Sequence, residues 1–241
     1  MLARLLYRDG LMLVIDKPAG VPVHRGPKGG NCLEDDFDAL RFGLPRAPAL
    51  AHRLDKDTSG CLVLGRHRKA LALLGKLFKQ GKVRKTYWAV VEGSPPPDEG
   101  RIDIPLGKLD ESRGWWMKPD PHGAPAVTTW KVLGRGEGLT WLALEPLTGR
   151  THQLRVHCSE IGWPIVGDNI YGRAPRLGGP PLHLHAREVV VPISKNKPSV
   201  TITAPVPVHM REILGRCGWS GETNIVRSGA SGNPEPETPT R

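Results

Sequence analysis

Residues His52 to Asp57 place three basic side chains (His52, Arg53, Lys56) and two carboxylates (Asp55, Asp57) within six consecutive positions. Turn-forming Thr58, Ser59 and Gly60 follow, then the apolar run Cys61-Leu62-Val63-Leu64. This order reads as a polar loop feeding a buried strand, a place where a reactive carboxylate is held firmly at a surface. A purely solvated charged loop is the plainer reading of the same run. Two further clusters weigh against it. Lys85 and Tyr87 alternate on one face of a predicted strand, Val83 to Val91. His152 and Arg155 share a face of a predicted helix that Thr151 caps, and Arg150 stands just ahead of it. A carboxylate beside an arginine keeps its charge and can act as nucleophile or base. A tyrosine can pass a proton or support a flat ring, and a basic cleft can hold phosphates. Together these parts suit chemistry on a nucleotide inside RNA.

The elements that must position them are mostly strands. Leu11 to Asp16 is an apolar run of strand length, stopped by Pro18 and Gly20. The loop after it carries Lys17, His24, Arg25 and Lys28, each able to meet a phosphate. Leu33 to Arg41 reads as a short acidic helix. In Arg66 to Gln80, Ala70, Leu73, Leu74, Leu77 and Phe78 form one apolar stripe, which predicts a helix with Gly81 past its end. Arg101 to Ile104, Val127 to Leu133, Leu139 to Leu144, Val189 to Val191 and Val200 to Ala204 read as strands. Gly107 to Ala126 is turn-rich with Trp115 and Trp116 at its centre, as in a hairpin. The helix after Thr151 runs to Gly162 with Leu154, Cys158 and Ile161 inward, and His209 to Leu214 is a short helix. From Gly218 the apolar content falls, and residues 218–241 are expected to be a disordered tail behind a catalytic domain of residues 1–217.

The chain has 241 residues, a formal net charge of +10 and a pI near 9.7, which favours an anionic partner, nucleic acid first among them. No apolar run approaches the roughly 18 residues that span a bilayer, and the N-terminus makes a poor signal peptide. Four widely spaced cysteines without a CxxC pair are expected to be reduced thiols of a cytoplasmic protein. His183 with His185, and His152 with His157, match no zinc spacing, so no metal is expected. The absence of a GxSxG elbow, a phosphate-binding loop and a GxGxxG turn argues against a serine hydrolase and a nucleotide cofactor.

His52 to Gly60, Lys85 to Val91, and Thr148 to His157 with Pro164 to Asp168 resemble, in that order, the signatures of the large bacterial pseudouridine synthase family that modifies ribosomal and transfer RNA. Leu11 to Gly20 and Leu184-His185-Ala186 also match, and the resemblance spans roughly residues 5 to 210. It implies an α+β fold: a mixed, mostly antiparallel central sheet flanked by helices, with a central cleft. It implies Asp55 as the essential carboxylate that breaks the uracil–ribose bond. It further implies Tyr87 stacked on the flipped uracil and helping remove a proton, and Arg155 paired with Asp55. Arg53 would fill the space the base leaves, with Arg150, His152 and Lys85 near the RNA backbone. The reaction is an isomerisation and calls for no cofactor. The core begins almost at Met1, which suggests the short subclass without an N-terminal RNA-binding domain, acting as a monomer on a ribosomal or transfer RNA stem-loop. The other reading is a non-catalytic RNA-binding factor on the same scaffold.

Overall fold

The structure, a computed structural model, describes residues 1–26, 29–110, 116–194, 196 and 198–221. Lys28, Trp115 and the tail beyond residue 221, all invoked above, lie outside the described residues.

The first half of the chain gives β1 (Leu5–Arg8), β2 (Met12–Lys17), a 3₁₀ helix (Leu33–Leu40), β3 (Ala49–Leu50), β4 (Ser59–Gly65), α1 (Arg68–Lys79) and β5 (Arg84–Glu92). The second half gives β6 (Glu99–Asp103), β7 (Leu106–Lys108), β8 (Met117–Pro119), β9 (Val127–Gly136), β10 (Leu139–Pro146), α2 (Gln153–Glu160), β11 (Leu184–Val191), β12 (Val200–Thr203) and α3 (Val208–Arg216). Ten strands form one sheet in the order β1-β2-β4-β11-β5-β10-β9-β6, with β12 added to β11 and β3 to β4. Every pairing in it is antiparallel except β4 with β11. The fold is therefore the expected α+β type with a mixed, mostly antiparallel sheet.

Strand alternation sorts the core onto two faces. Leu13 and Ile15 of β2, Leu62 and Leu64 of β4, and Tyr87, Ala89 and Val91 of β5 point to one face. They are covered by Phe37 and Leu40 of the 3₁₀ helix and by Leu154 and Cys158 of α2. Met12, Val14, Cys61 and Val63 point to the other face, under Leu74 and Leu77 of α1. Val90 and Trp141 lie under Met210 and Leu214 of α3. The stripe predicted for α1 is the buried one, and His67 caps it by accepting from the Ala70 amide at 3.2 Å.

Helix α2 departs from its expected form. Val156 packs outward on Leu106 and Ala126, beside Met117 of the β7–β8 hairpin, so the helix is covered on two sides. All its residues from Gln153 to Cys158 are buried. Thr151 does not cap it. The N-cap is His152, in the left-handed region (φ 52°) without a side-chain cap bond. The Gln153 side chain takes that place, accepting from the Arg150 amide at 3.0 Å and the Thr148 hydroxyl at 2.7 Å. The acidic segment at Leu33 also differs, coiling as 3₁₀ rather than α-helix.

The parallel β4–β11 pairing begins at the mouth of the charged loop, with Ser59 opposite His185 and Gly60 opposite Ala186. Gly60 has φ +105°, and a Cβ there would lie 2.3 Å from the Ala186 carbonyl oxygen. Only glycine allows both the turn and this approach. On its other side β11 pairs with β5, placing Ala186 opposite Tyr87. The sheet thus brings the loop of Asp55 and the strand of Tyr87 to one place across a single intervening strand.

Candidate active site

Asp55 sits where the charged loop turns into β4, its side chain 26% exposed. The turn is pinned from beneath. Lys17, at the end of β2, is fully buried, and its Nζ donates to the carbonyls of Pro18, Lys56 and Thr58, each at 2.8 Å. An ammonium has three donors, and all three are used. Burial pulls its pKa down to about 8, against the pull of Asp57, Asp55 and Asp16. Lys17 is therefore not the phosphate contact the sequence suggested: it fastens the residues on either side of Asp57 to the sheet. Lys17→Met, which keeps the chain length but leaves three carbonyls without a donor, should cost about 3–5 kcal/mol in a urea titration. Turnover should fall with it, because the Asp55 loop loses its anchor.

His52 is also structural. Its ring stacks on Phe78 of α1 (centroids 4.4 Å apart, 22° between planes), and its Nε2 accepts from the Val63 amide at 3.0 Å. Burial, with the nearby Lys85 charge, lowers its pKa to about 3, so the ring stays neutral and the acceptor is kept.

Tyr87 is 9% exposed on the face that α2 covers. Burial raises its pKa, and the charge on Asp55 adds to the effect. The hydroxyl is therefore a neutral phenol that can accept a proton only while giving up its own. Lys85, two residues away, is half-buried, which lowers its pKa, and its Nζ lies beside Gly149 at the loop leading into α2. Arg53 and Arg150 are exposed. The Arg150 Nε donates to the Pro125 carbonyl at 3.0 Å.

Arg155 differs from expectation in its partner. Its Nε and Nη2 donate to the two carboxylate oxygens of Asp168, both at 2.8 Å, with the two side chains 2% and 1% exposed. Asp55 acts on Arg155 through its charge, as one of several influences that keep the guanidinium protonated, rather than as its bonded partner. The reason is geometric: a side-on fork needs a carboxylate in its plane, and the turn after α2 supplies one. Asp168 is itself fixed by the amides of Ile170 (2.9 Å) and Tyr171 (3.0 Å). Burial would raise the Asp168 pKa, but Arg155 and these amides outweigh it and hold it below the usual carboxylate range.

His152 also moves. Expected at the RNA backbone, it is 9% exposed, with Nε2 3.9 Å from Asp55 Oδ2 and Nδ1 2.9 Å from the Tyr171 hydroxyl. Sequence reasoning missed Asp168 and Tyr171. The Gly167-Asp168 turn was the available signal, since an aspartate after glycine commonly binds backbone amides ahead of it.

The arrangement is a half-buried carboxylate with a neutral imidazole, a neutral phenol and a locked guanidinium close enough to feel its charge. Among the described residues, no group of His, Cys, Asp and Glu side chains could hold a metal ion, and no helix is long and apolar enough to cross a membrane.

Comparison with known proteins agrees along the chain. A family model described as RNA pseudouridylate synthase matches residues 11–160. An uncharacterised RNA pseudouridine synthase of Zymomonas mobilis is 44% identical over 206 residues, covering 85% of this chain and 94% of that protein. A ribosomal large subunit pseudouridine synthase C of Vibrio parahaemolyticus is 34% identical over 219 residues, covering 87% and 68%. Among solved structures, human RNA pseudouridylate synthase domain containing 4 superposes with a TM-score of 0.75 at 29% identity, covering 90% of this chain and 93% of that one.

Proposed function

The chain belongs to the RNA pseudouridylate synthase family and is an isomerase that converts uridine to pseudouridine in RNA; on that premise we propose that Asp55 is its essential carboxylate and that its substrate is a stem-loop of ribosomal or transfer RNA. The observation that carries the reading is the convergence of Asp55, Tyr87, His152 and the Arg155–Asp168 pair on one partly open site fed by three separate stretches of sequence.

The target uridine leaves its stack, at a cost of about a few kcal/mol, and enters beside Tyr87, whose ring supports the uracil face. Arg53, exposed on the loop ahead of Asp55, occupies the space left in the RNA or contacts the displaced strand. Arg150 and Lys85 flank the entrance and meet the backbone. Asp55 starts the reaction, by attack on the nucleotide or by removal of a ribose proton, and the C–N bond to uracil breaks. The uracil turns and rejoins through C5. The C5 proton then leaves: Tyr87 accepts it as its own hydroxyl proton passes to water, and N1 of the rejoined uracil takes a proton back, so the product keeps the composition of the uridine. Tyr87→Phe keeps the ring and loses only this transfer. It should lower kcat by about 10²-fold or more, with KM nearly unchanged, in a steady-state assay on a responsive RNA.

The sheet that gathers strands from residue 5 to residue 203, with α3 packed on it, supports reading residues 1–217 as one catalytic unit. We further propose a monomer working in the cytoplasm; the four free, buried cysteines are in keeping with a reducing compartment. The ribosomal assignment draws on the Vibrio relative, a ribosomal large subunit pseudouridine synthase. Mapping pseudouridines in total RNA from cells with and without the gene tests the substrate class: a ribosomal or transfer RNA site should revert to uridine, and an unchanged map in both would refute the proposal.

A further inference from the structure

His152 is a buried histidine in a backbone region that favours glycine, a conformation that persists only where its surroundings impose it. What imposes it here is a chain of polar contacts. The Tyr171 hydroxyl oxygen accepts from the Met117 amide of β8 at 2.9 Å and lies 2.9 Å from His152 Nδ1. Ser159 of α2 fixes the same tyrosine by donating to its carbonyl at 2.6 Å. The Met117 amide takes one lone pair of that oxygen and leaves the hydroxyl proton to be donated; His152 Nδ1, 2.9 Å away, is placed to accept it. That nitrogen therefore holds a lone pair, and the proton of the neutral ring sits on Nε2, the atom facing Asp55 Oδ2 at 3.9 Å. Burial keeps the ring neutral by lowering its pKa, which Asp55 opposes only in part.

We propose that His152 is a positioning residue for Asp55: in a tautomer set by the Tyr171 hydroxyl, it presents a neutral Nε2–H to Oδ2 and leaves Oδ1 turned toward the ribose. A lone pair aimed at Oδ2 would repel the carboxylate, and an imidazolium could neutralise it; the neutral N–H does neither. The 3.9 Å separation is longer than a hydrogen bond and closes when RNA fills the site or through one bridging water, as contacts of unliganded sites commonly do. This role rests on the reading of Asp55 as the essential carboxylate.

The test has two arms. In protein labelled with nitrogen-15 histidine, long-range proton–nitrogen correlation spectra report the tautomer of each ring, and the His152 signal is the one lost in His152→Gly. The expected result is the Nε2–H form in the wild type, shifted toward the Nδ1–H form in Tyr171→Phe. In the kinetic arm, Tyr171→Phe should lose about tenfold to hundredfold in kcat with little change in KM, the scale of a misplaced reacting group. His152→Gly relaxes the backbone while removing the ring, so it should keep the melting temperature and lose at least as much kcat. A wild-type Nδ1–H tautomer, or a His152→Gly protein turning over at the wild-type rate, would overturn the proposal. Asp55→Asn serves as the reference. If it retains activity, the reading of Asp55 fails first; if it is inert while His152→Gly is fully active, only the role given to His152 falls.

Discussion

Asp55→Asn should lose at least about 10⁴-fold in turnover, the scale seen when the reactive member of a catalytic group is removed, while folding and RNA affinity stay near wild type. Asparagine has nearly the shape of aspartate and fits the same half-buried position between His152 and the Lys17-anchored turn. It has no negative charge and is neither a nucleophile nor a base of comparable strength. The sheet packing does not depend on the carboxylate, because the loop is held by Lys17 and His52 through backbone groups. The exposed cations proposed to meet RNA, Arg53 and Arg150, are untouched. Equal losses of binding and turnover would mean that Asp55 organises the RNA site rather than the reaction.

Asp168→Asn should have the largest effect on stability of any single isosteric change near the site. It leaves the Arg155 guanidinium buried without its counter-charge, a loss of about 3–5 kcal/mol by comparison with other broken buried pairs, readable as a lower urea midpoint. Turnover should fall as well, since the freed guanidinium no longer has a fixed position relative to Asp55. The pH dependence has a definite sign. The Asp168 pKa is lowered on folding, so the pair stabilises the native state fully above the unfolded value near 3.9 and less as pH falls through the depressed native one. Acid unfolding of the wild type below about pH 4 should therefore be steeper than that of the Asn variant, and the stability difference between them should shrink there.

The residues that carry the proposed chemistry were legible because their signals are local. Asp55 lies in a charged loop ahead of an apolar strand, Tyr87 on a strand of β-branched and aromatic residues, and Arg155 on a short helix. The partners that hold them were not legible, because they come from distant parts of the chain. Lys17 reaches the carbonyls of Lys56 and Thr58 across some forty positions, and only the β2–β4 pairing brings them together. The parallel β4–β11 contact joins residues 126 apart and leaves no periodic trace. Helix α2 reads as singly faced in the sequence because its outer cover, the short β7–β8 hairpin, has weak strand character. The resemblance implies His152 near the RNA backbone and Asp55 as the partner of Arg155, whereas the turn after α2 supplies Tyr171 and Asp168 as the bonded partners.

The most direct test uses RNA transcribed with uridine tritiated at C5, since forming the carbon–carbon bond to the ribose expels that hydrogen. Purified wild-type protein should release tritium up to the number of target sites per RNA, and Asp55→Asn, matched for melting temperature and RNA affinity, should release none above background. Release by the Asn variant at a rate within tenfold of wild type would contradict the account.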